Sequence, residues 1–175
     1  LAPIPNIETP EALFLGFSPD QAQLRQGPLT ISSFGVDPPD RSTHFHLSLM
    51  SFDDGAARTI TAGTSGRPLQ ISEEEQREVL RLAKKLNSKV LTIVEGEGID
   101  HGLVWEGLGD IHTTSAEDVS GHLIRAHLPE GDAVLILRRF IDDSINLLSE
   151  IEMNERRGEE LPPLNLLWPW GNGVR

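Results

Sequence analysis

Six histidines carry most of the adaptable chemistry in this sequence: His44, His46, His101, His112, His122 and His127. His44 and His46 stand two apart in a stretch that reads as a strand, so their rings share one face. That arrangement can supply a pair of metal ligands or two unrelated half-buried imidazoles. No HExxH and no two-His-one-carboxylate spacing completes a metal site. Asp53-Asp54 and Asp142-Asp143 lack the alternating acids of a calcium loop, and read as a hairpin turn and a solvated helix face. Gly96-Glu97-Gly98 and Gly63 to Gly66 read as turns, because a phosphate cradle needs free backbone N–H groups at a helix start. Without cysteine there is no thiolate nucleophile, disulfide framework or cysteine-held metal. No GxSxG elbow is present, and no nucleophile pairs with a base by spacing. Trp168 and Trp170, beside Gly171-Asn172-Gly173, are too apolar for a solvated tail; they pack against the rest of this domain or against a partner element, or they line a ligand.

These residues must be positioned by elements the pattern reveals. A length of 175 residues implies one domain with a core large enough to stand without staples. The net charge of −12 opposes binding to nucleic acid or anionic membranes. The longest apolar run, Ala133 to Leu137, is cut by Arg138-Arg139, far short of a membrane span. The N-terminus lacks both an initiator Met and the pattern of a signal peptide, so an excised or processed piece of a longer chain, or one with its early residues missing, is expected. Prolines punctuate the first forty residues, with short helices expected from Thr9 to Leu15 and from Ser18-Pro19-Asp20.

His44 to Phe52 reads as a strand with Phe45, Leu47 and Leu49 on one face, turning at Asp53-Asp54-Gly55 into Arg58 to Thr61. Ser72 to Leu86 reads as a helix with a Ser72/Glu75 capping box and a stripe of Val79, Leu82, Ala83 and Leu86. Lys89 to Glu95 and His101 to Glu106 form a second strand pair, and His122 to Leu128 a further strand. Asp132 caps a long helix with Leu137, Phe140, Ile141, Ile145 and Leu148 inward. A short helix covers Asn154 to Glu160, and Leu164 to Trp168 is a last strand. The sum is an α+β fold: a small, mainly antiparallel or mixed sheet with two main helices packed on one face. It forms a single domain over 1–175, with an entry segment over 1–40 and a body over 41–175.

The C-terminal pattern Asn154-x-x-Arg157-Gly158, then Pro163-x-Asn165-x-x-Trp168-x-Trp170-Gly171-x-Gly173, resembles a hallmark of archaeal-type cofactor-independent phosphoglycerate mutases. Leu15-Gly16-Phe17-Ser18-Pro19, Gly27-Pro28-Leu29, Phe45 to Leu49 and Thr113 to Gly121 resemble other segments of that family in the same order. The resemblance implies a two-domain metalloenzyme of the alkaline phosphatase superfamily. A transiently phosphorylated Ser and two divalent metals, Mn or Zn, would lie in sequence outside this chain. This chain would be the inserted lid domain, without catalytic or metal-ligating residues of its own. It would hold a phosphorylated small molecule against its own catalytic domain in the cytoplasm, without nucleic acid or membrane.

The substrate-binding positions carried over are His46, Asp118, His122, Asn154 and Arg157. Several of the family's cations are replaced: His46 and His122 stand for Arg and Lys, Gln26 stands for Arg beside Arg25, Glu117 for His, and Asp100-His101 for a Tyr-Arg pair. Arg grips phosphate bidentately where neutral His does not. The replacements motivate an alternative, a divergent non-mutase paralogue acting as a ligand- or protein-binding domain. A stand-alone acidic binding module is the third reading.

Overall fold

The computed structural model describes residues 26–174, except 38, 54, 56 and 159. The expected helices near Thr9 and Ser18, and Arg25, lie outside the described residues. Strand β1 (Thr43–Asp53) is the organising element. On one side it pairs antiparallel with β4 (Asp100–Trp105), which pairs in turn with β3 (Leu91–Glu97). On the other it pairs with β7 (Leu166–Val174), and its far end pairs with β2 (Thr59–Ala62). Every register is antiparallel.

The odd-numbered apolar residues Phe45, Leu47 and Leu49 join one core cluster with Val79 and Leu82 of helix α2 (Glu73–Ala83) and Leu137, Phe140 and Leu148 of helix α4 (Leu135–Ser149). The two main helices thus share one face of an α+β sheet, as the pattern predicts. The opposite face is also covered. Helix α1 (Gln26–Ser33) lies across it, with Ile31 packed on Val94 and Val104. Every β1 residue except Asp53 is therefore buried, histidines included. Gly27 permits the contact, because a Cβ there would collide with the His44 carbonyl.

β7 is an edge strand, which accommodates Pro169 opposite Leu47. Its outer edge is not left open: the Leu167 N–H donates to Ser144 of α4 at 3.2 Å, and the Gly171 N–H to Thr113 at 3.1 Å. One extra residue on β7 between the partners of His44 and His46 makes a bulge, and Gly171 supplies its left-handed turn (φ 62°).

Ser72 caps α2 with the full reciprocal box to Glu75, and a 3-10 turn (Lys84–Leu86) completes the helix. Four expectations are corrected. His122 to Leu128 is not a strand: it makes one bridge, Thr59 to Leu123, and then closes a 3-10 turn (Ile124–Ala126), in which the Ala126 and His127 N–H groups donate to the Leu123 and Ile124 carbonyls. Asp132 does not cap α4, which starts after a left-handed Ala133 with no side-chain cap. The short helix α5 is Glu152–Arg157, and β7 runs six residues past Trp168. A short helix α3 (Ala116–Val119) and a small ladder of β5 (Ile111–His112) with β6 (Glu130–Gly131) complete the chain.

Candidate substrate-facing site

His46 lies on β1 beneath α1, almost fully buried. Its Nε2–H donates to Asp100 Oδ1 at 2.8 Å, because a carboxylate can only accept. The Thr30 hydroxyl, also 2.8 Å away, then donates to Nδ1. Trp170 packs its indole on the same ring, centroids 4.6 Å apart, and donates its N–H to Ser48 at 2.9 Å. Hydroxyl, imidazole and carboxylate follow one another in the order of a hydrolytic triad. The hydroxyl end, however, is buried under a helix, whereas the carboxylate end is half-exposed. A nucleophile needs the reverse. The group instead fixes α1 to the β3–β4 hairpin. His44 shares the strand but not this chain of bonds: its Nε2 lies 2.8 Å from Ser42. Trp168 is fully buried within this domain, so it is a core residue, and its N–H donates to the Thr114 carbonyl at 2.8 Å.

The carried-over pair Asn154 and Arg157 sits on α5. Asn154 donates to the carbonyls of Leu148 and Leu164 and accepts from the Leu164 N–H at 2.8 Å. Arg157 is buried and donates to the Pro162 carbonyl, the Gln70 carbonyl and Glu75 Oε1. Burial alone would raise the Glu75 pKa, but hydrogen bonds from the Ser72 backbone and from Arg157 outweigh it and lower it. Asn165 of the same pattern clamps Phe52 through both its N–H and its carbonyl. In this structure these three side chains staple α5 and β7 to the body.

Asp118 and His122 lie elsewhere. Asp118 accepts from the Ser115 hydroxyl that caps α3 at 2.7 Å. His122 is exposed in the following turn. No hydrogen bond, ion pair or ring contact joins any two of His46, Asp118, His122, Asn154 and Arg157.

The topology brings a different group to His122. The loop after β2 folds back on itself, with Gly63 N–H donating to the Arg67 carbonyl at 2.9 Å. Glu117 of α3 pins that loop by accepting from the Ser65 N–H at 2.7 Å. Arg67 consequently lies over Gly121: a Cβ there would meet its guanidinium at 3.6 Å. Arg67 is exposed. Arg125 follows one turn later, also exposed. On a chain of net charge −12, the exposed Arg67 and Arg125 are two local cationic points that attract anions. Sequence reasoning missed Arg67, because only the loop-to-α3 contact carries it across to His122. Among the described residues no group of three or more His, Asp or Glu side chains is placed to hold a metal ion, so the resemblance's two metals have no seat in them.

The described residues form an antiparallel α+β domain in which Arg67 lies over Gly121, next in sequence to His122. Residues 8–154 match the family model described as 2,3-bisphosphoglycerate-independent phosphoglycerate mutase, and the chain belongs to that family. It is 25% identical to the 2,3-bisphosphoglycerate-independent phosphoglycerate mutase of Methanothrix thermoacetophila, an alignment covering 97% of this chain and 42% of that protein. A probable mutase of the same description from Geobacter sulfurreducens is also 25% identical, with 97% and 43% covered. The chain thus spans less than half the length of these relatives. Among solved structures, the cofactor-independent phosphoglycerate mutase from Thermoplasma acidophilum superposes with a TM-score of 0.68 at 18% identity, covering 99% of this chain and 48% of that one. The PH0037 protein from Pyrococcus horikoshii superposes at 0.61 with 16% identity, covering 94% and 36%. These two show the fold.

Proposed function

We propose that this chain is the substrate-covering domain of a phosphoglycerate-mutase-like phosphotransferase that interconverts 3- and 2-phosphoglycerate in the cytoplasm. The observation that carries the reading is the match of nearly the whole chain to under half of each mutase relative. In this reading residues 1–175 are one domain of a longer protein, and the nucleophile and two divalent metals, Mn or Zn, belong to the remainder. The domain closes over the phosphorylated substrate and excludes water while the phosphoryl group moves. Arg67, with Arg125 nearby, supplies the cationic surface that meets the phosphate, and His122 adds a ring nitrogen beside bidentate Arg67.

The test is turnover of 3-phosphoglycerate by the longer protein carrying this chain, with Mn2+ and with Zn2+. The expected result is turnover, with Arg67→Ala raising KM about tenfold and altering kcat less. No turnover with any divalent metal from a folded protein would refute it. The divergent binding-domain reading would then stand, favoured by the observation that His46, in an Arg position of the resemblance, has both nitrogens occupied by Thr30 and Asp100.

A further inference from the structure

We propose that His122 and His127 form a two-point chelate for a late first-row divalent cation of the class of Zn2+, Ni2+ or Cu2+. Their ring centroids lie 5.3 Å apart, with ring planes at 66°. Two imidazoles bound to one ion at about 2.0–2.1 Å, at a near-tetrahedral angle, place their centroids about 5 Å apart. Little movement is needed for both rings to reach one ion.

The His122 Nδ1 lies 3.1 Å from the Ser120 carbonyl oxygen. A carbonyl only accepts, so Nδ1 carries the proton and Nε2 keeps its lone pair. A metal-binding histidine is oriented in this way. The backbone between the rings is held at three points. His122 N–H donates to the Val119 carbonyl at 3.0 Å, Ile124 N–H to the Arg58 carbonyl at 3.1 Å, and His127 N–H to the Ile124 carbonyl at 3.1 Å. His122 is exposed and His127 half-buried, so a hydrated ion has access. Arg125, exposed between them, repels the ion, while the overall charge of −12 attracts it. Among the described residues no carboxylate or third imidazole joins the pair, so water or an anion completes the coordination sphere, and the ion exchanges readily.

Calorimetric titration of the chain with Zn2+ or Ni2+ alone, in phosphate-free buffer at about pH 7.5, tests this, together with NMR of the histidine Cε1 protons. Saturable one-site binding is expected, with only the His122 and His127 signals moving. His122→Ala and His127→Ala should each weaken binding about tenfold or more, since a chelate loses its second arm. Wild-type affinity in either variant, or signal changes at other histidines, would overturn the site. Both residues are at the surface, and circular dichroism verifies that the variants fold. No phosphate compound enters the assay, so its outcome is separate from that of the mutase reading.

Discussion

His101 makes stability depend on pH in a calculable way. Its side chain is fully buried on the α2 side of the sheet, and Nδ1 accepts from the Gly96 N–H at 3.1 Å. The neutral ring therefore carries its proton on Nε2, which has no partner among the described residues. Burial pushes the pKa down to about 4; Asp100 and Glu95 pull it partly back, and His46 adds to the lowering. In the unfolded chain the same ring titrates near 6.5. Between those values the unfolded chain binds more protons, so stability is lost as pH falls from about 6.5 toward 4. At about 1.36 kcal/mol per unit, the whole window is worth roughly 3 kcal/mol, and the step from about pH 7 to pH 5 about 2 kcal/mol.

Urea unfolding of the wild type and of His101→Leu at both pH values measures it, because carboxylates contribute nearly equally to both chains. The difference between the two pH dependences should be about 2 kcal/mol. Equal pH dependences, or an NMR titration that puts the folded His101 pKa above about 6, would refute the reasoning. The NMR measurement uses wild-type protein, so it decides the matter even if the leucine variant folds poorly.

Other expectations follow from single contacts. Arg157→Ala removes three hydrogen bonds and leaves Glu75 without its cationic partner, so it should cost about 3 kcal/mol in urea unfolding, with Arg157→Lys recovering only part. The lowered Glu75 pKa makes the stability it contributes present at neutral pH and lost in acid; in Arg157→Ala that loss should shrink. Gly27→Ala should push α1 off β1 and lower the thermal midpoint, at a cost of about 1–3 kcal/mol. Ser72→Ala should cost about 1 kcal/mol by opening the capping box of α2.

The elements legible in the sequence are those whose signals are local. Ser72 and Glu75 satisfy each other's backbone donors within one turn, so α2 could be read from spacing alone. The hairpin of β3 with β4 and the alternation of Phe45, Leu47 and Leu49 are likewise short-range. Helix α1 escaped because Pro28 reads as a breaker, yet the helix Gln26–Ser33 runs through it. The burial of His44 and His46 depends on α1 and was hidden with it. Bonds from Leu123 and Ile124 carbonyls to N–H groups three residues on turned an apparent strand into a 3-10 turn, a competition no residue type announces. At the site, residue types were visible but company was not. Arg157 looks like a phosphate ligand until Glu75, Gln70 and Pro162 surround it, and Arg67 looks like loop filler until α3 draws its loop to Gly121.

The central strand has its neighbours distributed unevenly along the chain. β4 is available early, but β7 is not: the bond from Trp170 to Ser48 spans 122 residues. During synthesis β1 must emerge, hold one flank unpaired and keep Phe45, Leu47 and Leu49 from other strands until β7 leaves the ribosome. Long-range antiparallel closure of this kind is slow, and an unpaired inner strand invites intermolecular pairing. A nascent chain halted before Leu166 is therefore the most aggregation-prone form of this domain, and its dependence on holding chaperones should end abruptly when β7 is translated.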